Sequence, residues 1–466
     1  MALKLYNSLT QSVEPLQLID SKMVRMYTCG PTVYHFVHIG NFRTFIFQDT
    51  LRRYILYKGY RLRHVMNITD VEDKIIANAQ AAGQDIGEYS KKYLTAFLQD
   101  METLRIERPD QMPRATEHIE AMVELIQRLE AKGLTYRSNG SVYFRISAFP
   151  GYGKLSGLEL ESTAAQGRID VDEYSKENPR DFVLWKARKE EEEASWDCGL
   201  GEGRPGWHIE CSAMSMQYLG ESFDIHCGGV DLIFPHHENE IAQSEAATGK
   251  PFVRHWVHAA HLIVEGQKMS KSKGNFFTLR DLLEKGCSPL AVRYLLQSVH
   301  YRKQLNFTLE GVEQARAAIQ RIDDFLHKVR SLPDGLEANP SLSDKTSRAR
   351  RGFESSMDDD LNVSEALGAL FELIRSFNIE LDRQEVGSAN RDEILQLFGD
   401  ANQIFDAFQM EEAELQDTRI RELIEERVQA RLQRCFQRAD QIRDELCKSG
   451  IILEDTKEGT RWKRVL

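Results

Sequence analysis

The sequence predicts an α/β protein that contains a parallel sheet and continues into a helical region. Residues 23–29 show the alternation of a strand, and apolar side chains recur at helical spacing from Gly40 to Lys58. Gly59 follows at a position where helices commonly end, and residues 61–68 indicate a second strand. A strand, a helix and a strand in this order form a βαβ unit, whose two strands are parallel.

The rest of the chain extends this organisation. Residues from about 80 to 195 combine helical periodicity with loops rich in Gly, Ser and Tyr, which indicates an insertion that splits the sheet. Strands are predicted over residues 223–226 and 255–264, with a turn at Gly228 and Gly229. Beyond about residue 310 the pattern becomes helical and charged, and we expect a helical bundle there.

Composition narrows the class of protein. The chain has 466 residues, 41% hydrophobic and 28% charged, as in soluble globular proteins of several domains. No apolar stretch approaches the roughly 18 residues of a membrane span, and no signal peptide is evident. The seven cysteines suggest reduced thiols in the cytoplasm, some of which are candidate metal ligands. The net charge of −12 requires that any RNA contact use local basic surface.

Two short segments lie 230 residues apart, Val37-His38-Ile39-Gly40-Asn41 and Lys268-Met269-Ser270-Lys271-Ser272. The first follows a predicted strand and opens a helix, where ligands of open α/β sheets bind. The second is a loop flanked by Gly266 and Gly274. Together they can hold a nucleoside triphosphate from both sides. Taken alone, the second would be interpreted as a lysine-rich surface turn.

A second group of residues has the chemistry of a metal site. His236 and Glu240 are four residues apart, so on a helix they share one face. Cys211 precedes them and Cys29 ends the first strand. Thiolate, imidazole and carboxylate donors together suit Zn²⁺ better than Mg²⁺ or Ca²⁺. Each residue also has a structural interpretation as a core or capping residue, and His237 is an alternative ligand that spacing does not exclude.

The ordered pair of segments resembles the HIGH and KMSKS signatures of class I aminoacyl-tRNA synthetases. The intervening and following sequence narrows the resemblance to the cysteinyl-tRNA synthetase family. The similar segments are Thr28–Tyr34, Asn67–Asp70, Gly206–Met214, Phe234–Glu240, Met357–Asn362 and Ile452–Thr456.

This resemblance implies one zinc ion per chain, held by Cys29, Cys211, His236 and Glu240. Zinc would select the substrate thiolate over the hydroxyl of serine, which differs by one atom. The residues expected near the amino acid are Thr69, Trp207, His226 and Asp231, with Asp231 facing the ammonium group.

The resemblance also assigns the nucleotide site. The residues expected to bind ATP, with Mg²⁺, are His38, Gly40, Asn41, Lys268, Ser270 and Lys271. Four of these are expected to be catalytic, namely His38, Asn41, Lys268 and Lys271. Asparagine at the fourth position of the first signature is a variant that can still donate a hydrogen bond.

The last segment carries candidate RNA contacts. Four arginines are spaced as a basic stripe on one helix face: Arg427, Arg431, Arg434 and Arg438. A solvated, salt-bridged helix is the alternative interpretation. The resemblance implies an anticodon-binding domain, in which the expected tRNA contacts are Arg431, Phe436, Asp440 and Asp455.

The full expectation is a Rossmann-like parallel-sheet catalytic domain split by an insertion, then an α-helical bundle and a small C-terminal α+β domain. The expected boundaries are 1–80 and 201–265 for the catalytic halves, 81–200 for the insertion, 266–315 for the lysine loop and stem-contact region, 316–407 for the bundle and 408–466 for the anticodon-binding domain. The protein would be a cytoplasmic monomer that activates L-cysteine with ATP and transfers it to tRNA(Cys).

Two other functions would share parts of this sequence pattern. A related ligase joins cysteine to an amino-sugar thiol precursor with the same catalytic half, but that type lacks a matching C-terminal domain. A non-catalytic protein that binds zinc and RNA would not need both signature segments.

Overall fold

The computed structural model describes residues 2–157, 176–189, 194–270, 273–332, 337–382, 386–410, 414–433, 435–448, 451–456 and 459–464. The chain forms two compact units. The first contains Met1–Lys285, Leu296–Phe307 and Glu354–Ala366. The second contains Gly286–Leu295, Thr308–Phe353 and Leu367–Leu466.

The first unit is built on a four-stranded sheet in the order β11-β10-β3-β4. These strands are β3 (Met23–Thr28), β4 (Arg61–Met66), β10 (Phe223–Gly229) and β11 (Val253–Ala259). All neighbouring pairs are parallel. Helix α1 (Ile39–Tyr57) connects β3 to β4 and ends just before Gly59, which has a φ of 80°. The predicted βαβ unit and parallel sheet are therefore confirmed.

The predicted turn at Gly228 and Gly229 is wrong, because both glycines belong to β10 and pair with His258 and Ala259 of β11. A Cβ atom on Gly228 would lie 2.7 Å from Cε1 of His237. Glycine is thus required there by the close approach of an imidazole, and not by a reversal of the chain.

The predicted strand over residues 255–264 is divided between two sheets. Its first part is β11, and its second part is β12 (Leu262–Val264). Strand β12 pairs with β13 (Gln267–Lys268) and with β14 (Leu305–Phe307) in a three-stranded sheet. The lysine-containing segment therefore begins at the end of β13.

The insertion between β4 and β10 is a mixed α and β region. Its helices are α2 (Asp73–Ala82), α3 (Ile86–Thr103) and α4 (Ile119–Ala131). Its antiparallel sheet has the order β5-β6-β7-β9-β8, with β5 (Thr135–Ser138), β6 (Ser141–Phe144), β7 (Phe182–Ala187), β8 (Trp196–Asp197) and β9 (Glu202–Pro205). Helix α5 (Trp207–Leu219) then leads back to the central sheet.

The remaining elements of the first unit frame the sheet. At the N-terminus, β1 (Lys4–Asn7) pairs with β2 (Ser12–Pro15). After β10 the chain forms a 3₁₀ turn (Val230–Leu232) and a π turn (Ile233–His237), and then helix α6 (Glu238–Thr248). Helix α7 (Leu279–Glu284) begins with a capping box formed by Thr278 and Asp281.

The acidic segment Met357–Asn362 fastens the C-terminal end of α1. The Asp358 carboxylate accepts from Tyr54 Oη at 2.8 Å and pairs with Lys58 Nζ at 2.9 Å. Two residues further on, the Asp360 carboxylate accepts hydrogen bonds from Tyr301 and Arg302. The Asp358 contacts hold the C-terminal end of the helix whose other end carries the first signature segment.

The C-terminal half is helical, as predicted. Its helices are α8 (Pro289–Ser298), α9 (Leu309–Arg330), α10 (Pro340–Asp358), α11 (Val363–Asp382), α12 (Ser388–Phe405), α13 (Glu414–Leu432) and α14 (Phe436–Lys448). A final hairpin consists of β15 (Ile451–Thr456) and β16 (Gly459–Arg464). Among the described residues, no helix is both long and apolar enough to span a membrane.

The prediction that four arginines form a stripe on one helix is wrong. Helix α13 ends at Leu432 and α14 begins at Phe436, so Arg431 and Arg438 lie on different helices. Arg427 is buried, and Arg434 lies outside the described residues. The physical reason is an apolar cluster between the two helices, formed by Ile420, Leu423, Ile442, Leu446 and Ile451. Burying this cluster requires the chain to turn back on itself.

Candidate active site and metal centre

His38 shapes the start of α1. It is the N-cap residue, and its Nδ1 accepts a hydrogen bond from the Asn41 backbone N–H at 3.2 Å. A neutral imidazole that accepts at Nδ1 carries its proton on Nε2. His38 Nε2 is therefore a donor, next to the N–H groups of a helix N-terminus that favours anions. The first signature segment thus has the chemistry of a phosphate site.

A cavity of about 310 Å³ begins at this helix start. Its walls include His38 and Asn41 together with Cys29, Trp207 and Asp231. Residues from the predicted nucleotide site, the predicted metal site and the predicted amino-acid site therefore line one cavity. This convergence follows from the parallel sheet, since β3 and β10 end at the same edge.

The four predicted metal ligands come together behind this cavity. The donor atoms of Cys29, Cys211, His236 and Glu240 all lie within 4.8 Å of one another, and all four residues are buried. They come from the residue after β3, from α5, from the π turn and from α6. His236 Nε2 lies 3.1 Å from Glu240 Oε1, as the four-residue spacing predicted.

The cluster holds anionic groups beside a cationic imidazole, since burial opposes protonation of His236 but Glu240 and Cys211 raise its pKa to about 10. Burial by itself would raise the pKa of Cys211, but the hydrogen bond with Cys29 and the neighbouring His236 lower it to about 6. Burial opposes ionisation of Glu240 as well, yet His226 and His236 lower its pKa to about 2. Buried anions are costly unless they are paired or bound to a metal. The cluster is therefore compatible with a metal site.

A second donor set overlaps the first and consists of Cys29, His226, His237 and Glu240. His237 Nε2 lies 3.3 Å from Cys29 Sγ, and its Nδ1 lies 2.8 Å from His258 Nε2. Burial and the surrounding histidines hold the pKa of His237 well below its usual value, so this imidazole is neutral. The two sets share Cys29 and Glu240, so they are alternative donor sets of one candidate site, completed either by Cys211 and His236 or by His226 and His237.

Thr69 and His226 are buried and lie outside the cavity wall. Thr69 Oγ1 donates to Glu210 Oε2 at 2.9 Å, and His226 Nε2 lies 2.9 Å from Glu240 Oε2. His226 therefore contacts a candidate metal ligand directly, whereas Thr69 contacts the neighbour of Cys211 in the sequence. Trp207 lines the cavity and stacks on His236, with 4.2 Å between ring centroids.

Sequence reasoning missed several supporting residues. His208 Nδ1 lies 2.9 Å from His236 Nδ1, and Trp256 stacks on His226 at 4.6 Å. Glu210 and His208 belong to the same short segment as Cys211, so their proximity to it was the available signal. Trp256 and His258 lie on β11, and only the order of the strands brings them to the cluster.

The lysine segment touches the first signature. A Cβ atom on Gly40 would lie 3.3 Å from Cε of Met269. Asn275, which the sequence analysis did not single out, organises the loop by accepting from the Ser270 N–H at 2.8 Å and donating to the Lys268 carbonyl at 3.3 Å. Lys268 is exposed, whereas the predicted Lys271 lies outside the described residues.

Comparison with known proteins agrees with this geometry. Residues 15–317 match the family of class I (C) tRNA synthetase catalytic domains, and residues 352–404 match the DALR domain. The chain is 52% identical to a cysteine–tRNA ligase of Solibacter usitatus, over the whole of both chains. It is 48% identical to that of Koribacter versatilis, again over both full lengths.

The chain belongs to the cysteine–tRNA ligase family of class I aminoacyl-tRNA synthetases.

The fold extends to more distant class I synthetases. A solved structure of Mycobacterium tuberculosis methionyl-tRNA synthetase in complex with methionyl-adenylate is 18% identical, with a TM-score of 0.60. The similarity covers 82% of this chain and 89% of that one. At this level of identity the likeness concerns the fold alone, and it agrees with the α/β sheet and the helical C-terminal half described above.

Three of the candidate tRNA contacts lie on the helices α13 and α14, and the fourth lies on β15. Arg431 is exposed on α13, and Phe436 is 60% exposed at the start of α14. Asp440 pairs with Arg443 at 3.1 Å. The side chain of Asp455 lies outside the described residues, although its backbone belongs to β15.

The metal cluster generates a prediction. Purified protein is expected to hold about one divalent transition metal ion per chain, because the two donor sets share two ligands. Cys211→Ser should weaken metal binding by more than the roughly 10–100-fold typical of losing a supporting partner. Metal content is measured by atomic emission after gel filtration.

Cys227→Ala is the matched control, because Cys227 is also buried but belongs to neither donor set. This variant should keep its metal. His236→Ala and His237→Ala then separate the two sets. Release of the ion by His237→Ala alone would show that the ligand assignment within the pair is wrong.

Proposed function

We propose that this protein activates L-cysteine with ATP to cysteinyl-adenylate and transfers the cysteine to tRNA(Cys). One observation carries the proposal: a single cavity is lined by the His38–Asn41 helix start and by Cys29 of the metal cluster. A phosphate-binding helix start beside a thiol-rich metal cluster suits a reaction between ATP and a thiol amino acid.

We propose that Cys29, Cys211, His236 and Glu240 hold one Zn²⁺. Two cysteine sulfurs among four buried donors favour this ion over Mg²⁺ or Ca²⁺. When bound, zinc would supply a soft Lewis acid that takes the substrate sulfur as thiolate and leaves the serine hydroxyl without an equivalent bond. Cys29 lies on the cavity wall, so the cluster is open to the substrate on that side.

Trp207 and Asp231 complete the amino-acid site in this proposal. Trp207 covers His236 and faces the cavity, so it restricts the space next to the sulfur. Asp231 faces the same cavity and can accept hydrogen bonds from the substrate ammonium. Gly229 permits this position, since a Cβ atom there would lie 2.3 Å from Oδ1 of Asp231. Thr69 and His226 do not line the cavity, and they are proposed to hold Glu210 and Glu240 in position through their hydrogen bonds.

Adenylate formation needs positioned donors and no general base. The cysteine carboxylate, already ionised, attacks the α-phosphorus, and the bond from that phosphorus to pyrophosphate breaks. His38 Nε2, the Asn41 side chain and the N–H groups of α1 stabilise charge on the phosphates. Gly40 lets the lysine loop approach, and Lys268, Ser270 and Lys271 bind the departing pyrophosphate. ATP is proposed to be used with Mg²⁺, its usual counterion.

The C-terminal segment 408–466 is proposed to bind the anticodon, through Arg431, Phe436, Asp440 and Asp455. The proposal also includes the domain boundaries predicted above for the two catalytic halves, the insertion, the lysine loop and the helical bundle. A cytoplasmic, monomeric enzyme is proposed as well. All seven cysteines lie in the described part of the chain and none forms a disulfide, which fits a reducing compartment.

Cysteine-dependent exchange of labelled pyrophosphate into ATP tests the activity. Cysteine should support exchange, and serine should be rejected by more than the roughly 200-fold that shape alone supplies. A zinc chelator should reduce the exchange with cysteine, and added Zn²⁺ should restore it. Equal exchange with cysteine and serine would contradict the proposal.

The lysine loop provides a second prediction. Lys271→Ala should slow cysteine-dependent exchange by about 10²-fold or more, because its charge acts on the transition state. The affinity for cysteine, measured by calorimetry, should stay near that of the wild type.

Lys273→Ala is the control in the same loop, since Lys273 Nζ contacts Gln267 Oε1 at 3.3 Å. That variant should exchange at close to the wild-type rate. A normal rate for Lys271→Ala would remove Lys271 from the mechanism.

The exposed aromatic ring of the C-terminal domain gives a third prediction. Phe436→Ala should weaken binding of tRNA(Cys) by about 1–3 kcal/mol, the usual value of one stacked base. Aminoacylation kinetics with tRNA(Cys) and with an anticodon-altered version measure both the affinity and the discrimination.

Ile379→Ala is a suitable control, because Ile379 is 56% exposed and lies on α11. It should leave both substrates unaffected. If Phe436→Ala charges tRNA(Cys) normally and still rejects the altered anticodon, Phe436 is not an anticodon contact.

A further inference from the structure

One cation on the cavity wall has no role in the scheme above. Lys74 is the second residue of α2, is exposed, and lines the same cavity as His38 and Cys29. Its Nζ lies 5.4 Å from the centre of the Tyr34 ring, which also lines the cavity. The Lys74 side chain therefore presents a positive charge at the site of reaction.

The carboxylates next to Lys74 in the sequence are engaged elsewhere. Asp73 pairs with Lys186 Nζ at 2.9 Å and with Arg204 at 2.6 Å. Glu72 caps α2 and accepts from the Lys74 backbone N–H at 2.8 Å. Among the described residues, no carboxylate lies within ion-pair distance of Lys74 Nζ. Its ammonium group is thus available to an anion that enters the cavity.

The backbone holds this lysine at the strand ends. The Val33 N–H donates to the Thr69 carbonyl at 3.1 Å, and the Thr69 N–H donates to the Pro31 carbonyl at 3.1 Å. These bonds join the segment that carries Tyr34 to the end of β4, a few residues before α2. Lys74 and Tyr34 are therefore parts of one rim, separate from the lysine loop.

Two substrates of the proposed function carry phosphate. The ATP phosphates already have proposed binding groups, namely His38, the start of α1 and the lysine loop. Met269 of this loop approaches Gly40. In the transfer step a ribose hydroxyl of the tRNA 3′ end attacks the carbonyl carbon of cysteinyl-adenylate. The ester bond forms as the bond to AMP breaks, and the AMP phosphate can take the hydroxyl proton. The 3′ end must enter this cavity, and its backbone brings phosphate to the rim.

We propose that Lys74, beside the ring of Tyr34, binds a backbone phosphate at the 3′ end of tRNA and positions it for aminoacyl transfer. This proposal rests on the proposed function. Lys74 is a positioning residue in this scheme, because it contacts the tRNA backbone and not the reacting atoms.

The test compares two steps in the full-length enzyme with Lys74→Gln. Single-turnover transfer from preformed cysteinyl-adenylate to tRNA(Cys) should slow by about tenfold or more, and by clearly more than cysteine-dependent pyrophosphate exchange. The slope of log affinity for tRNA(Cys) against log salt should decrease by about 0.7–1, as expected for one lost phosphate contact. Lys74→Arg should recover most of the transfer rate.

Lys92→Gln is the matched control. Lys92 Nζ lies 5.2 Å from the centre of the Tyr93 ring, in the same type of contact, and Lys92 is not on the cavity wall. This variant should match the wild type in both steps and in salt slope.

Three outcomes overturn the proposal. If Lys74→Gln slows pyrophosphate exchange and aminoacyl transfer by the same factor, Lys74 either contacts ATP or only maintains the shape of the cavity. An unchanged salt slope would mean that no phosphate contact was lost. Failure of Lys74→Arg to recover transfer would show that charge is not the property used. Failure of the proposed function is a different result, because wild-type enzyme would then show no cysteine-dependent exchange.

Discussion

The parallel pairing of β3 with β4 and β10 is the constraint on which the rest of the site depends. Because the three strands run in the same direction, Cys29, Thr69 and Gly229 arrive at one edge of the sheet. Helix α1 starts at this edge as well, since it follows β3. The candidate metal cluster and the helix start at His38 can therefore share a cavity without any long loop to bring them together.

Close approach at this edge depends on glycine. A Cβ atom on Gly30 would lie 1.9 Å from the carbonyl oxygen of Asn67, so a side chain there would force β3 away from the segment after β4. Gly228 admits the imidazole of His237 in the same way. These residues set how tightly the strand ends and the histidine cluster pack, and this in turn sets the spacing of the metal donors.

The centre is surrounded by buried polar groups that hold one another in place. His237 connects Cys29 to His258, and His258 Nδ1 lies 2.7 Å from Ser8 Oγ. Burial, together with the neighbouring His226, lowers the pKa of His258 to about 3, so it serves as a neutral hydrogen-bonding group. Buried hydrogen-bonded networks of this kind restrict the arrangements that their members can adopt. Such rigidity suits a site that is proposed to distinguish a thiol from a hydroxyl.

The sequence by itself determined the local features of this protein. The spacing of His236 and Glu240, the helix that the first signature segment opens, the βαβ unit and the family signatures are all patterns of neighbouring residues, and local geometry depends on such patterns. Only the tertiary structure decided what depends on distant contacts. It brought Cys29 to Cys211, showed His226 and His237 as a second donor set, and placed Lys74 on the cavity wall. It also separated Arg431 from Arg438, because burial of an apolar cluster between α13 and α14 outweighed a helical repeat of charge. Spacing along a chain specifies the face of an element, whereas the order of strands and the packing of cores specify which faces meet.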